Sequence, residues 1–142
     1  MKTIQGDLLR DADQFDVIVH GCNCWCKMGA GIARQIKRAY PEAFEADCQT
    51  DRGDPGKLGT FSTAQVGDLT LVNAYTQFNW GKDLRLEALR QCFRALKAEF
   101  SGKRIAYPKI GAGLAGGDWD VISSIINEEL EGEDHTYVEY AP

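Results

Sequence analysis

Two glycine-rich segments carry the strongest chemical signal in the chain. The first is Gly21-Cys22-Asn23-Cys24-Trp25-Cys26-Lys27-Met28-Gly29-Ala30-Gly31-Ile32. The second is Pro108-Lys109-Ile110-Gly111-Ala112-Gly113-Leu114-Ala115-Gly116-Gly117-Asp118-Trp119. Glycine lets the backbone take unusual angles and lets a ligand approach it closely. A helix that follows such a loop offers free N–H groups and the positive end of its dipole, which suits phosphate. A tight strand-to-helix turn is the plainer reading of the first loop. Four glycines within seven residues are harder to explain by turning alone, because so flexible a segment costs entropy to order. Backbone wrapping a phosphate accounts for them, and two such loops suit a diphosphate. Neither has the spacing of the Walker loop or of the dinucleotide fingerprint.

Other residues around these loops have competing roles. Asp118 closes the second loop, where it can cap the next helix or act as a base beside a ligand. Cys22, Cys24 and Cys26 alternate, which does not match the usual paired ligands of zinc. No metal is expected. Lys27 is close enough in sequence to influence a thiol. His20 ends an apolar run and reads as a hydrogen-bonded structural residue, and His135 has no motif around it. Trp25, Tyr75, Phe78 and Trp80 are aromatic residues near the loops. Most such groups are core, but Gln77-Phe78-Asn79-Trp80-Gly81-Lys82 reads as loop, where an aromatic ring could stack on a ribose or base.

The elements that position these loops alternate between strand and helix. Lys2 to Gln5, Asp16 to His20, Thr60 to Val66, Leu69 to Tyr75, Arg104 to Tyr107 and His135 to Tyr140 read as strands. Gly67-Asp68 marks a hairpin. Helices are expected over Gly29 to Tyr40, Glu42 to Cys48, Leu84 to Phe100 and Trp119 to Leu130. Their inward stripes are Ile32, Ala33, Ile36 and Tyr40; then Leu89, Cys92, Phe93, Leu96 and Phe100; then Val121, Ile122, Ile125 and Ile126. Such alternation gives one sheet with helices on both faces. Ligands then sit outside the carboxyl ends of the parallel strands, where both glycine loops fall.

Composition limits the function classes. The chain has 142 residues and 44% hydrophobic content, which fits one domain spanning 1–142 with a real core. A net charge of −5 argues against broad binding to nucleic acid or anionic membrane. No run is long and apolar enough to span a bilayer, and Met1 to Asp7 does not resemble a signal peptide. Five cysteines, an odd number, read as reduced thiols. A cytoplasmic monomer without a cofactor is expected.

The motifs together resemble the macrodomain family. Gly6-Asp7-Leu8 is similar to its Gly-Asp-[Ile/Leu] motif, whose Asp contacts the adenine amino group. Asn23-Cys24 with Met28-Gly29-Ala30-Gly31-Ile32-Ala33 resembles its distal-ribose Asn and first phosphate loop. Ile110-Gly111-Ala112-Gly113-Leu114 with Gly117-Asp118-Trp119 resembles its second phosphate loop. The resemblance implies a three-layer α/β/α sandwich with a mixed, mostly parallel sheet. It also implies an ADP-ribose cleft with adenine near Asp7 and Leu8. The diphosphate would lie against Met28, Gly29, Ala30, Gly31, Ile32, Ile110, Gly111, Ala112, Gly113 and Leu114. The terminal ribose would lie near Asn23, Gln77 and Asp118.

Within the family the chain is most similar to the branch of terminal ADP-ribose glycohydrolases, DNA ADP-ribosyl glycohydrolases and ADP-ribose-1''-phosphate phosphatases. The glycohydrolases carry a Lys after the fourth strand, where this chain has Gln77 or Phe78. The reading that follows is a hydrolase acting at the terminal ribose, with Asp118 and Asn23 as catalytic residues and ADP-ribose-1''-phosphate as substrate. The alternatives are an ADP-ribosyl glycohydrolase or deacylase, and a non-catalytic ADP-ribose-binding module. ADP-ribosylated macromolecules are possible partners.

Overall fold

A computed structural model describes Met1–Pro142. Six strands form one sheet: β1 (Lys2–Gly6), β2 (Val17–Cys22), β3 (Phe61–Val66), β4 (Leu69–Tyr75), β5 (Ile105–Tyr107) and β6 (His135–Tyr140). Their spatial order is β1-β6-β5-β2-β4-β3. All neighbours are parallel except β3, which pairs antiparallel with β4 through the Gly67-Asp68 turn. Gly67 takes φ 60, as the tight connection requires.

Four helices cover the sheet: α1 (Gly31–Ala39), α2 (Pro41–Cys48), α3 (Leu86–Phe100) and α4 (Trp119–Glu129). The alternation of side chains along a strand assigns them to two layers. Val17 and Val19 of β2 join Leu89, Phe93 and Leu96 of α3 and Ile122 and Ile126 of α4 in one core. Ile18 points to the opposite face and packs with Ile36 of α1 and Ala43 of α2 in a second core. Each large apolar side chain fully buried here contributes about 1.5–3 kcal/mol. The result is the expected three-layer α/β/α sandwich.

Several sequence expectations change in detail. Gly29 and Ala30 stand before α1, whose first residue is Gly31 at φ 58. On α1 only Ile36 is fully buried, because Ile32 and Ala33 partly face an open cleft. Val121 was expected inside and lies outside, 44% exposed. It precedes the buried Ile122 by one position, about 100° around the helix, so it falls on the shoulder of the stripe. Leu84 and Arg85 remain outside α3, because Leu84 forms an isolated antiparallel bridge with Gln77. No helix is long and apolar enough to cross a membrane.

Candidate functional site

The carboxyl ends of four neighbouring parallel strands open onto one cleft of about 820 Å3. Its wall comes from the segment after β2 (Asn23, Lys27, Gly29 to Ala33), the segment after β4 (Gln77, Trp80, Gly81), the segment after β5 (Pro108 to Gly111, Gly113 to Ala115) and the end of β6 (Tyr137 to Tyr140).

The loop after β2 is braced from below. Asn23 lines the cleft at 8% exposure. Its Oδ1 accepts from Trp25 N at 2.8 Å and its Nδ2 donates to the Lys27 carbonyl at 3.0 Å. The side chain therefore fixes its own loop. Cys26 takes φ 57, an uncommon angle for a residue with a side chain. Beneath it, Lys57 is buried and donates to the Cys24 carbonyl at 3.1 Å. Its ammonium also lies 4.5 Å from the centre of the Tyr75 ring. The Tyr75 hydroxyl donates to Asp47 Oδ1 at 2.7 Å, and the other Asp47 oxygen has no partner. Burial raises the Asp47 pKa above the ordinary carboxylate value.

Replacing Lys57 with Met keeps the stem but removes the donor to Cys24. Lys57→Met is expected to lower stability by about 1.5–3 kcal/mol, the worth of a hydrogen bond from a charged donor, although Gly53 N still donates to the same carbonyl at 2.7 Å. Urea unfolding measures it. An unchanged midpoint would mean that Lys57 does not hold the loop.

The three buried thiols, Cys22, Cys24 and Cys92, are structural in character. Burial pushes Cys22, Cys24 and Cys92 upward in pKa, Cys92 to about 12. Such groups are poor thiolate nucleophiles at neutral pH. No three His, Cys, Asp or Glu side chains converge as a metal site would need. His20 is fully buried and paired with Asn73 Oδ1 at 2.7 Å.

The loop after β5 is closed on itself. Gly111 has φ 75, and its carbonyl accepts from Gly117 N at 2.7 Å. At φ 58, Gly31 in the first loop would place a side chain 3.5 Å from Leu114 Cδ1, so the two loops meet there. No side chain caps the start of α1, which leaves its first N–H groups free at the cleft wall.

The structure separates the expected site residues into two groups. Asn23, Gly29, Ala30, Gly31, Ile32, Gln77, Ile110, Gly111, Gly113 and Leu114 line the cleft. Asp7, Leu8, Met28, Ala112 and Asp118 do not. Leu8 and Met28 are buried in the second core and anchor their segments. Asp7 Oδ1 accepts from Leu9 N and Arg10 N at 3.0 and 3.2 Å, closing a turn after β1. Asp118 is the N-cap of α4, with Oδ1 accepting from Asp120 N at 2.9 Å. Gln77 faces the cleft, but its amide donates to the carbonyls of Asn79 and Gly81 at 2.7 and 3.0 Å. The sequence reading missed Gln35, Lys109 and the end of β6 as wall residues. Only the placement of β6 between β1 and β5 brings that end to the cleft.

A model of the Macro domain matches residues 19–126. The chain is a macrodomain. An uncharacterized 17.5 kDa protein of Enterobacteria phage T4 is 36% identical to it, covering 100% of this chain and 97% of the phage protein. A DNA ADP-ribosyl glycohydrolase of Mycobacterium tuberculosis is 34% identical over 96% of this chain. This macrodomain spans only 41% of that enzyme's length. Among solved structures, the macrodomain of Thermus aquaticus DarG superposes with a TM-score of 0.79 at 25% identity, covering 99% of this chain and 97% of that one.

Proposed function

We propose that this macrodomain, spanning residues 1–142, binds ADP-ribose and hydrolyses a bond at its terminal ribose. One observation carries the reading. Gly29 and Gly113 line the cleft, neither takes the left-handed angles that favour glycine, and an added Cβ would meet nothing within 4 Å. The fold gives no reason for glycine at either position. A ligand pressed against the backbone does.

The diphosphate fits between the two loops, against the free N–H groups at the start of α1. Adenine then lies toward the end of β6 and Asp7, and the terminal ribose toward Asn23. Support for hydrolysis comes from relatives of this macrodomain. The Mycobacterium enzyme is named for glycohydrolase activity. An ADP-ribose 1''-phosphate phosphatase of Aspergillus oryzae is 40% identical over 42% of this chain.

The favoured substrate is ADP-ribose-1''-phosphate. Where glycohydrolases of this branch carry Lys, Gln77 has an amide already committed to two carbonyls. It supplies no amine to attack the sugar, so water is the nucleophile. Asp118 holds α4 through one oxygen, and its other oxygen has no protein partner. That oxygen lies outside the cleft wall, so it acts on the terminal ribose only through a water that it orients. A second reading, removal of ADP-ribose from a macromolecule, draws support from the nearly full alignment of this chain with the Mycobacterium glycohydrolase.

Calorimetric titration tests the ligand: ADP-ribose should bind far more tightly than AMP. Phosphate release from ADP-ribose-1''-phosphate tests the chemistry. Asp118→Ala should lower kcat about 100-fold, within the range for loss of a general base. Full turnover by that variant would remove Asp118 from the mechanism.

A further inference from the structure

We propose that Lys27, resting on Trp80, forms an anion subsite at the Asn23 end of the cleft, which selects ligands bearing phosphate on the terminal ribose. The inference deepens the reading above and rests on it.

Lys27 is exposed and lines the cleft. Its backbone is tied to the terminal-ribose end, because its carbonyl accepts the Asn23 amide at 3.0 Å. Its ammonium lies 4.2 Å from the centre of the Trp80 ring. No carboxylate pairs with it, although Arg10, Arg85, Arg94 and Arg104 each pair with one and Arg90 with two. An aromatic face holds a cation in place without neutralising it. The charge therefore remains available to an incoming oxyanion.

Trp80 is fitted as a fixed support. It lines the cleft, is 58% exposed and has an aromatic neighbour. Trp25 meets it edge-on, with ring centres 6.4 Å apart. Trp25 is itself held by Asn79 Oδ1, which accepts from its indole nitrogen at 3.2 Å. At φ 78, Gly53 leaves room for that indole, since a Cβ there would come within 2.7 Å of Trp25 Cζ3. The platform thus reaches from Gly53 through Trp25 to Trp80 and Lys27.

Charge is also divided along the cleft. The single carboxylate on its wall is Glu139, at the end of β6, and the second wall cation, Lys109, follows the neighbouring β5. Lys27 follows β2 and Trp80 follows β4, and β5 separates β2 from β6. A phosphate on the terminal ribose would meet the cation rather than the carboxylate. Gln77 cannot replace Lys27, because its two N–H groups are spent within its own loop.

Calorimetric titration of ADP-ribose and ADP-ribose-1''-phosphate into the whole chain tests the subsite. The native protein should prefer the phosphorylated ligand by about tenfold, as expected of a charge-assisted contact. Added salt should weaken that preference. Lys27→Gln should abolish it by weakening ADP-ribose-1''-phosphate about tenfold more than ADP-ribose, and Lys27→Arg should restore it. If Lys27→Gln keeps the preference, or weakens both ligands equally, the subsite is refuted while ADP-ribose binding stands. If the native protein binds neither ligand, the proposed function fails and the subsite falls with it.

Discussion

Gly113→Ala is expected to cost ADP-ribose at least tenfold in affinity while leaving the free protein as stable as before. Gly117→Ala is expected to do the reverse in order: it damages the fold first and binding second. The two glycines stand four residues apart in one loop, so the contrast separates the two reasons a glycine can be needed. At Gly113 a new Cβ meets only the empty cleft, and no left-handed angle is imposed. Its methyl would occupy the space of a ligand lying on the backbone. At Gly117 the same methyl would lie 2.6 Å from the Gly111 carbonyl oxygen and 2.8 Å from Ile122 Cδ1, and would overlap Leu84. It would push apart the Gly117 N to Gly111 O bond that closes the loop. Overpacking of this kind costs about 1–3 kcal/mol. Urea unfolding and calorimetry on the two variants give both readings. Native affinity in Gly113→Ala would overturn the placement of a ligand against the second loop.

That contrast also shows how far the sequence could lead. All six strands and four helices were located, most of them because the element buries a stripe that its own residues define; β1, which buries only Gly6, has no such stripe. Both glycine loops were visible as local runs between a strand and a helix. What the chain order alone cannot express is convergence. Lys57 lies among the turn-forming residues Asp51 to Gly59, yet it is buried beneath Cys24 because β4 brings Tyr75 under the first loop. Lys27 and Trp80 are separated by α1, α2, β3 and β4, and only the pairing of β2 with β4 brings their loops together. Tyr137 to Tyr140 look like an ordinary last strand until β6 is inserted next to β5. Asp118 had two compatible readings. The cap is seen directly, because it depends on contacts within one turn of chain.

The second large effect is loss of stability on mild acidification. His20 is fully buried, and its Nε2–H donates to Asn73 Oδ1 at 2.7 Å. This tautomer follows because the Asn73 amide nitrogen is occupied as a donor to the Ala43 carbonyl and Ser62. Burial lowers the His20 pKa from 6.5 to about 4. The unfolded chain therefore takes up a proton at a pH where the folded one does not. Stability is fully present above pH 6.5 and falls as pH drops toward 4, by about 3 kcal/mol for a shift of this size. His135, whose Nδ1 is hydrogen-bonded with the Tyr107 hydroxyl at 2.7 Å, is also lowered to about 4 and acts in the same direction. Asp47 opposes them, because its raised pKa makes the folded state the better proton acceptor in part of this range. Asp16, held near 2 by Arg104, matters only at lower pH. The urea midpoint should therefore fall steadily between pH 6.5 and 4.5. His20→Gln, which retains a donor for Asn73 but cannot take up a proton, should flatten that fall by roughly half. An unchanged slope in the variant would assign the acid sensitivity to other groups.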